Sequence, residues 1–191
     1  MASNALQVRS SFHVAYMYAT DRSPPGSDHP VANGQATMSE KKDHLDELLK
    51  DPLAILKRLH AKFGYSNCPL TAEAVFRYLE SGVIRQAKRV TSDFVVVQCG
   101  GSQRTQITKV VRDLKREGHG SHRVITKHAG TAKEHSANLV NIRGQIYLVD
   151  AYNDPPAFTA SFSSDWGTIE VSRSWVVKLV PKEKIGSARC D

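Results

Sequence analysis

Apolar positions along the chain change their spacing part-way, and the change divides it into a helical half and a β-rich half. Leu45, Leu48 and Leu49 follow Ser39, which is a plausible helix cap. Asp51-Pro52 then reads as a second start, a capping carboxylate with proline at the first helical position, and Leu53, Leu56 and Leu59 follow toward Gly64. Over 68–81, Ala72, Val75, Phe76 and Leu79 fall at i, i+3, i+4 and i+7, one helical stripe that Gly82 closes. Asp93–Cys99 reads as a strand before a Gly100-Gly101 turn, and Ile107, Val110, Val111 and Leu114 predict a helix from about Gln103 to Glu117, ended by Gly118. Arg123–Lys127, Ser136–Asn141, Gln145–Tyr152 and one or two strands within Thr168–Val180 follow. Helices before strands predict an α+β class with N-terminal helices packed on an antiparallel sheet.

Residues 1–37 form a leader or linker. A short alternating stretch, Ser11 to Ala19, precedes Ser23-Pro24-Pro25-Gly26-Ser27, a composition that buries little. The domain expected to fold is 38–185, with 186–191 a flexible tail.

The hairpin around Arg143-Gly144 fixes a register. Counting outward from that turn, Ile142 faces Gln145, Val140 faces Tyr147 and Ala137 faces Asp150. Side chains alternate faces, so His135 shares a face with Ala137 and hence with Asp150. The two are diagonal neighbours, roughly 5–8 Å apart between Cβ atoms. A carboxylate there can bond one imidazole nitrogen and leave the other for a third group.

Cys68 supplies the third group. Pro69 suits a first helical position, which puts Cys68 at the cap, where Ser, Thr, Asp or Asn is the usual residue. A helix start favours a thiolate and offers backbone N–H groups to an oxyanion. Cys68 as nucleophile, His135 as base and Asp150 as the group that orients the base form a Cys-His-Asp triad. Ser66, Asn67, Asn138 and Tyr152 are the further candidates for substrate or oxyanion contacts.

Composition narrows the alternatives. The chain has 191 residues, a net charge of +7 and 40% hydrophobic content. The charge raises nucleic acid as a partner, but the basic groups Lys109–Arg112–Lys115–Arg116 and Arg85–Lys88–Arg89 lack interleaved aromatics, so none is expected. No apolar run reaches membrane length and no classical signal peptide opens the chain. Secretion, or delivery into a target cell's cytoplasm, would then use a route without one. Three cysteines are too few for a disulfide scaffold; Cys99 reads as a small buried hydrophobe and Cys190 as part of a disordered end. His119, His122 and His128 match no zinc spacing, so no metal and no cofactor are expected.

The stretch Asn67-Cys68-Pro69-Leu70-Thr71-Ala72-Glu73-Ala74-Val75 with Leu79 and Gly82 resembles the nucleophile helix of the papain-fold toxin domains of bacterial polymorphic toxins and effectors. His135, Asn138, Val140, Asn141, Gly144, Val149 and Asp150 resemble that family's His-bearing hairpin. The match spans about residues 64 to 155. It departs at Thr71, where members often carry a second Cys, and at Tyr152, where they often carry Gln. The resemblance implies a papain-like cysteine hydrolase fold and deamidation of a glutamine side chain in a target protein. By analogy it implies an immunity protein or chaperone as a further partner. A cysteine protease or a transglutaminase-type acyltransferase has the same order of Cys, His and Asp. A non-enzymatic basic binding domain is the remaining reading.

Overall fold

A computed structural model describes residues 38–60, 68–99, 101–129, 133–161 and 166–187. The leader, including the stretch 11–19, and Cys190 lie outside them. Helices α1 (Met38–Lys50), α2 (Pro52–Leu59) and α3 (Cys68–Ser81) come first. The strands are β1 (Phe94–Cys99), β2 (Gln103–Gln106), β3 (His122–Ala129), β4 (Lys133–Ile142), β5 (Gln145–Asp150), β6 (Ala157–Thr159), β7 (Thr168–Ser172) and β8 (Val176–Pro181). Helix α4 (Ile107–Glu117) lies between β2 and β3, and a 3-10 helix, Lys182–Ser187, runs past the expected boundary at 185. The class is α+β.

Six strands form one antiparallel sheet in the order β2-β7-β3-β4-β5-β6, while β1 and β8 pair separately. The hairpin has the expected register, with Ile142 opposite Gln145 and Val140 opposite Tyr147. Arg143 (φ 55°) and Gly144 (φ 86°) both sit in the left-handed region, as the two-residue type I′ turn requires. Asn141 braces it: its Oδ1 accepts from Gly144 N at 2.8 Å, and its Nδ2 donates to Leu114 O at the end of α4 at 2.8 Å.

Alternation sends the side chains of β4 and β5 into two cores. Val140, Ile142, Val149 and Ala151 pack with Val124, with α1–α3 and with Trp175 of the segment before β8. Ala137, Leu139, Ile146 and Leu148 pack with Ile125, Ile169 and α4 on the opposite face. The sheet is thus covered on both sides, and each fully buried Leu contributes about 1.5–3 kcal/mol relative to exposure. Helix α3 is central. Beyond its stripe it also buries Leu70, Thr71, Ala74 and Tyr78. Tyr78 Oη donates to His44 O of α1 at 2.8 Å, and burial pushes its phenol up to about 12.

Several sequence expectations change. Helix α2 ends at Leu59, short of Gly64, because His60 turns extended (ψ 132°). Gln103–Gln106 is strand β2, not helix: these residues pair with Thr168–Val171 of β7, and α4 starts only where the apolar stripe starts, at Ile107. Strand β5 stops at Asp150, two residues before Tyr152. Strand β6 was not expected; at three residues it is too short for alternation to register. Cys99 is disulfide-bonded, not a free small hydrophobe, because neighbouring sequence reports burial and not covalent pairing. Among the described residues, Cys68 is in no disulfide.

Candidate functional site

Cys68 opens α3. It is the first helical residue rather than the cap residue before it, and it is buried at 8% exposure. A helix start leaves its first N–H groups without helical partners. Pro69 has none to leave, so only its neighbours carry one there. The indole of Trp175 donates to Pro69 O at 3.1 Å and fixes this end of the helix against the start of β8.

His135 lies on β4, three residues before the last bonded pair with β5, Asn138–Val149. Its Nε2 bonds Asp150 Oδ2 at 2.6 Å, where β5 ends. The other ring nitrogen, Nδ1, is left for sulfur. The ring is indeed hydrogen-bonded to Cys68, and its imidazolium is pushed up from 6.5 to about 10. The hydrogen bond to Asp150 is the largest cause and the one to Cys68 the next; burial opposes both, and the charges of Asp150 and Cys68 add to the rise. Side chains 67 positions apart in the chain therefore meet as Cys68, His135 and Asp150.

Asp150 is more tightly held than the sequence suggests. Besides His135, its Oδ2 accepts from Asn153 Nδ2 at 2.7 Å, and its Oδ1 accepts from Tyr152 N at 2.9 Å. Three donors fix both oxygens, and the carboxylate side chain is 4% exposed. Asn153 was legible only as part of a turn; the signal was an Asx-type residue three after the acid.

The remaining candidates divide. Tyr152 is at the site: its ring centroid is 5.9 Å from that of His135, while its backbone N–H is spent on Asp150. Trp166 stands 6.2 Å from the same imidazole, and sequence reasoning missed it because nothing local links residue 166 to 135. Asn138 is not at the site. It is fully buried on the opposite face of β4 from His135, and its Nδ2 donates to Ala72 O of α3 at 3.0 Å. One-residue alternation decides this: 138 is even where 135 is odd. Ser66 and Asn67 lie outside the described residues.

Comparison with family models, with curated proteins and with solved structures returned no match. The chemistry must be read from the side chains alone.

Among the described residues, no group of three or more His, Cys, Asp and Glu gathers as a metal would need. His119 Nδ1 accepts from Arg143 N at 3.0 Å, and the ring of His122 stacks edge-on against Phe76. No helix among them is long and apolar enough to cross a membrane. A sulfur beside an imidazole that keeps its proton to about pH 10, itself held by a fixed carboxylate, can supply a nucleophile and a proton donor together.

Proposed function

We propose that this chain is a papain-like cysteine hydrolase that deamidates a glutamine side chain of a target protein, as a toxin or effector delivered into another cell. One observation carries the reading: the continuous hydrogen-bonded path from Cys68 through His135 to Asp150.

The Cys68 sulfur attacks the carboxamide carbon, and the carbonyl oxygen becomes an oxyanion. Backbone N–H groups at the start of α3 donate to it. His135 gives its proton to the leaving nitrogen, so ammonia departs and a thioester remains. The neutral imidazole then takes a proton from water. Hydroxide adds to the thioester, the C–S bond breaks, and the product is glutamate with the thiolate restored. Asp150 keeps the ring oriented with Nδ1 toward sulfur. Tyr152 and Trp166 flank the imidazole and limit water around it.

Wild type and Cys68→Ala are expressed side by side in a host cell and the proteomes compared. The expected result is glutamine converted to glutamate in one or a few targets, without chain cleavage and only with Cys68 present. New chain termini would show proteolysis, and an isopeptide to an amine would show acyl transfer. Activity retained in Cys68→Ala would overturn the assignment altogether.

A further inference from the structure

A cavity opens on the face of the molecule covered by α4. It measures about 340 Å³, and Ser102, Thr105, Lys109, Asp113, Arg123 and Arg173 are among the side chains around it. None of them belongs to the Cys68 site. Three stretches of the chain build it: 101–113 through β2 into α4, Arg123 of β3, and 171–174 at the end of β7.

Its charges are arranged unevenly. Lys109 and Arg116 share one carboxylate, that of Asp113, at 3.4 and 3.0 Å. Arg123 and Arg173 share another, that of Glu117. Four cations therefore divide two anions between them. Glu170, on the neighbouring strand, stands opposite Arg104 in the β2–β7 ladder, and its Oε2 accepts from Ser102 Oγ. Burial would raise Asp113, yet its carboxyl sits below the ordinary value, because the hydrogen bond from Lys109 and the charges of Lys109, Arg116 and Arg173 outweigh it. The guanidinium side chain of Arg123 is only 13% exposed, so its charge is held in place at the cavity instead of waving in solvent. Thr105 brings a hydroxyl to the same space; that of Ser102 donates to Glu170 Oε2 at 3.0 Å, and Ser172 Oγ donates to Gly101 O at 3.0 Å, which fixes the loop that carries Ser102.

We propose that this cavity binds a phosphate monoester. The dianion matches the two positive charges in excess, guanidinium groups match its oxygens in pairs, and the Thr105 hydroxyl can donate to the third. The ester is either a free small molecule or a phosphorylated side chain of a protein that the chain docks on. The site is separate from the cysteine chemistry and does not depend on it.

Full-length protein is titrated calorimetrically with sodium phosphate at fixed ionic strength, beside Arg173→Glu and Lys109→Glu. Both of these side chains are exposed, and alkylation of Cys68 at the wild-type rate shows that the fold is intact. The expected result is saturable binding to wild type, weakened at least about tenfold in each variant, the equivalent of about 1.4 kcal/mol. A phosphoserine peptide that binds more tightly than phosphate, while its unphosphorylated form does not bind, assigns the ligand to a protein. Equal affinity for peptide and free phosphate assigns it to a small molecule. No saturable binding, binding unchanged in both variants, or affinity that tracks total polyanion charge equally for phosphate and heparin would each overturn the proposal.

Discussion

A single histidine reports most directly on the site. His135 keeps its proton to about pH 10 because Asp150 and then Cys68 bond it. Asp150→Asn removes the charge and keeps the shape. We expect the imidazole titration midpoint, followed by NMR, to fall by about 1–3 units toward 6.5. The sign for stability follows. The folded-state value lies above the ordinary one, so the contribution is fully present below 6.5 and is lost as pH rises through about 10. The stability difference between wild type and Asp150→Asn, measured in urea, should shrink across that window. Asn138 is the contrast. Asn138→Ala loses a buried bond to α3, so we expect a loss of about 1–3 kcal/mol in urea titrations. The His135 midpoint should not move, since residue 138 faces the other side of the sheet. The sequence placed His135 and Asp150 on one face because both lie within a few residues of a two-residue turn. Asn138 was a candidate through its motif alone, although its place three positions after His135 on the same strand already sets it on the other face.

At the scale of elements, α3 was read over its span 68–81, with Cys68 taken as the cap where it is the first helical residue. Its stripe, Pro69 and Gly82 are local signals that need no partner. Gly82 carries two demands at once. Its φ is +72°, and a Cβ there would meet the Cβ of His44 at 3.0 Å. Gly82→Ala should therefore destabilise by about 1–2 kcal/mol from backbone strain alone. The thermal transition should drop accordingly, while Cys68, one helix length away, keeps its alkylation rate in the remaining folded fraction. Strand β2 was read as helix because Gln-Arg-Thr-Gln has no face of its own. Only β7, more than sixty residues later, gives those positions a sheet to join.

Over the whole molecule, the link that sequence could not supply is between α3 and the C-terminal strands. Trp175 is 2% exposed, and its indole holds Pro69 O beside the candidate nucleophile. Trp175→Phe keeps the bulk and removes the donor. We expect a loss of about 1 kcal/mol in overall stability. Cys68 alkylation should slow more than in variants of equal stability elsewhere, because the start of α3 loses its tether. The order β2-β7-β3 has a consequence for a chain made from its amino end. When Asp150 has left the ribosome, all three triad residues exist, yet β2 has no neighbour and the tryptophan that steadies Pro69 has not been translated. A nascent or prematurely terminated polypeptide would then carry Cys68, His135 and Asp150 without the contact that holds the start of α3, and the three would be held together only after the last strands dock.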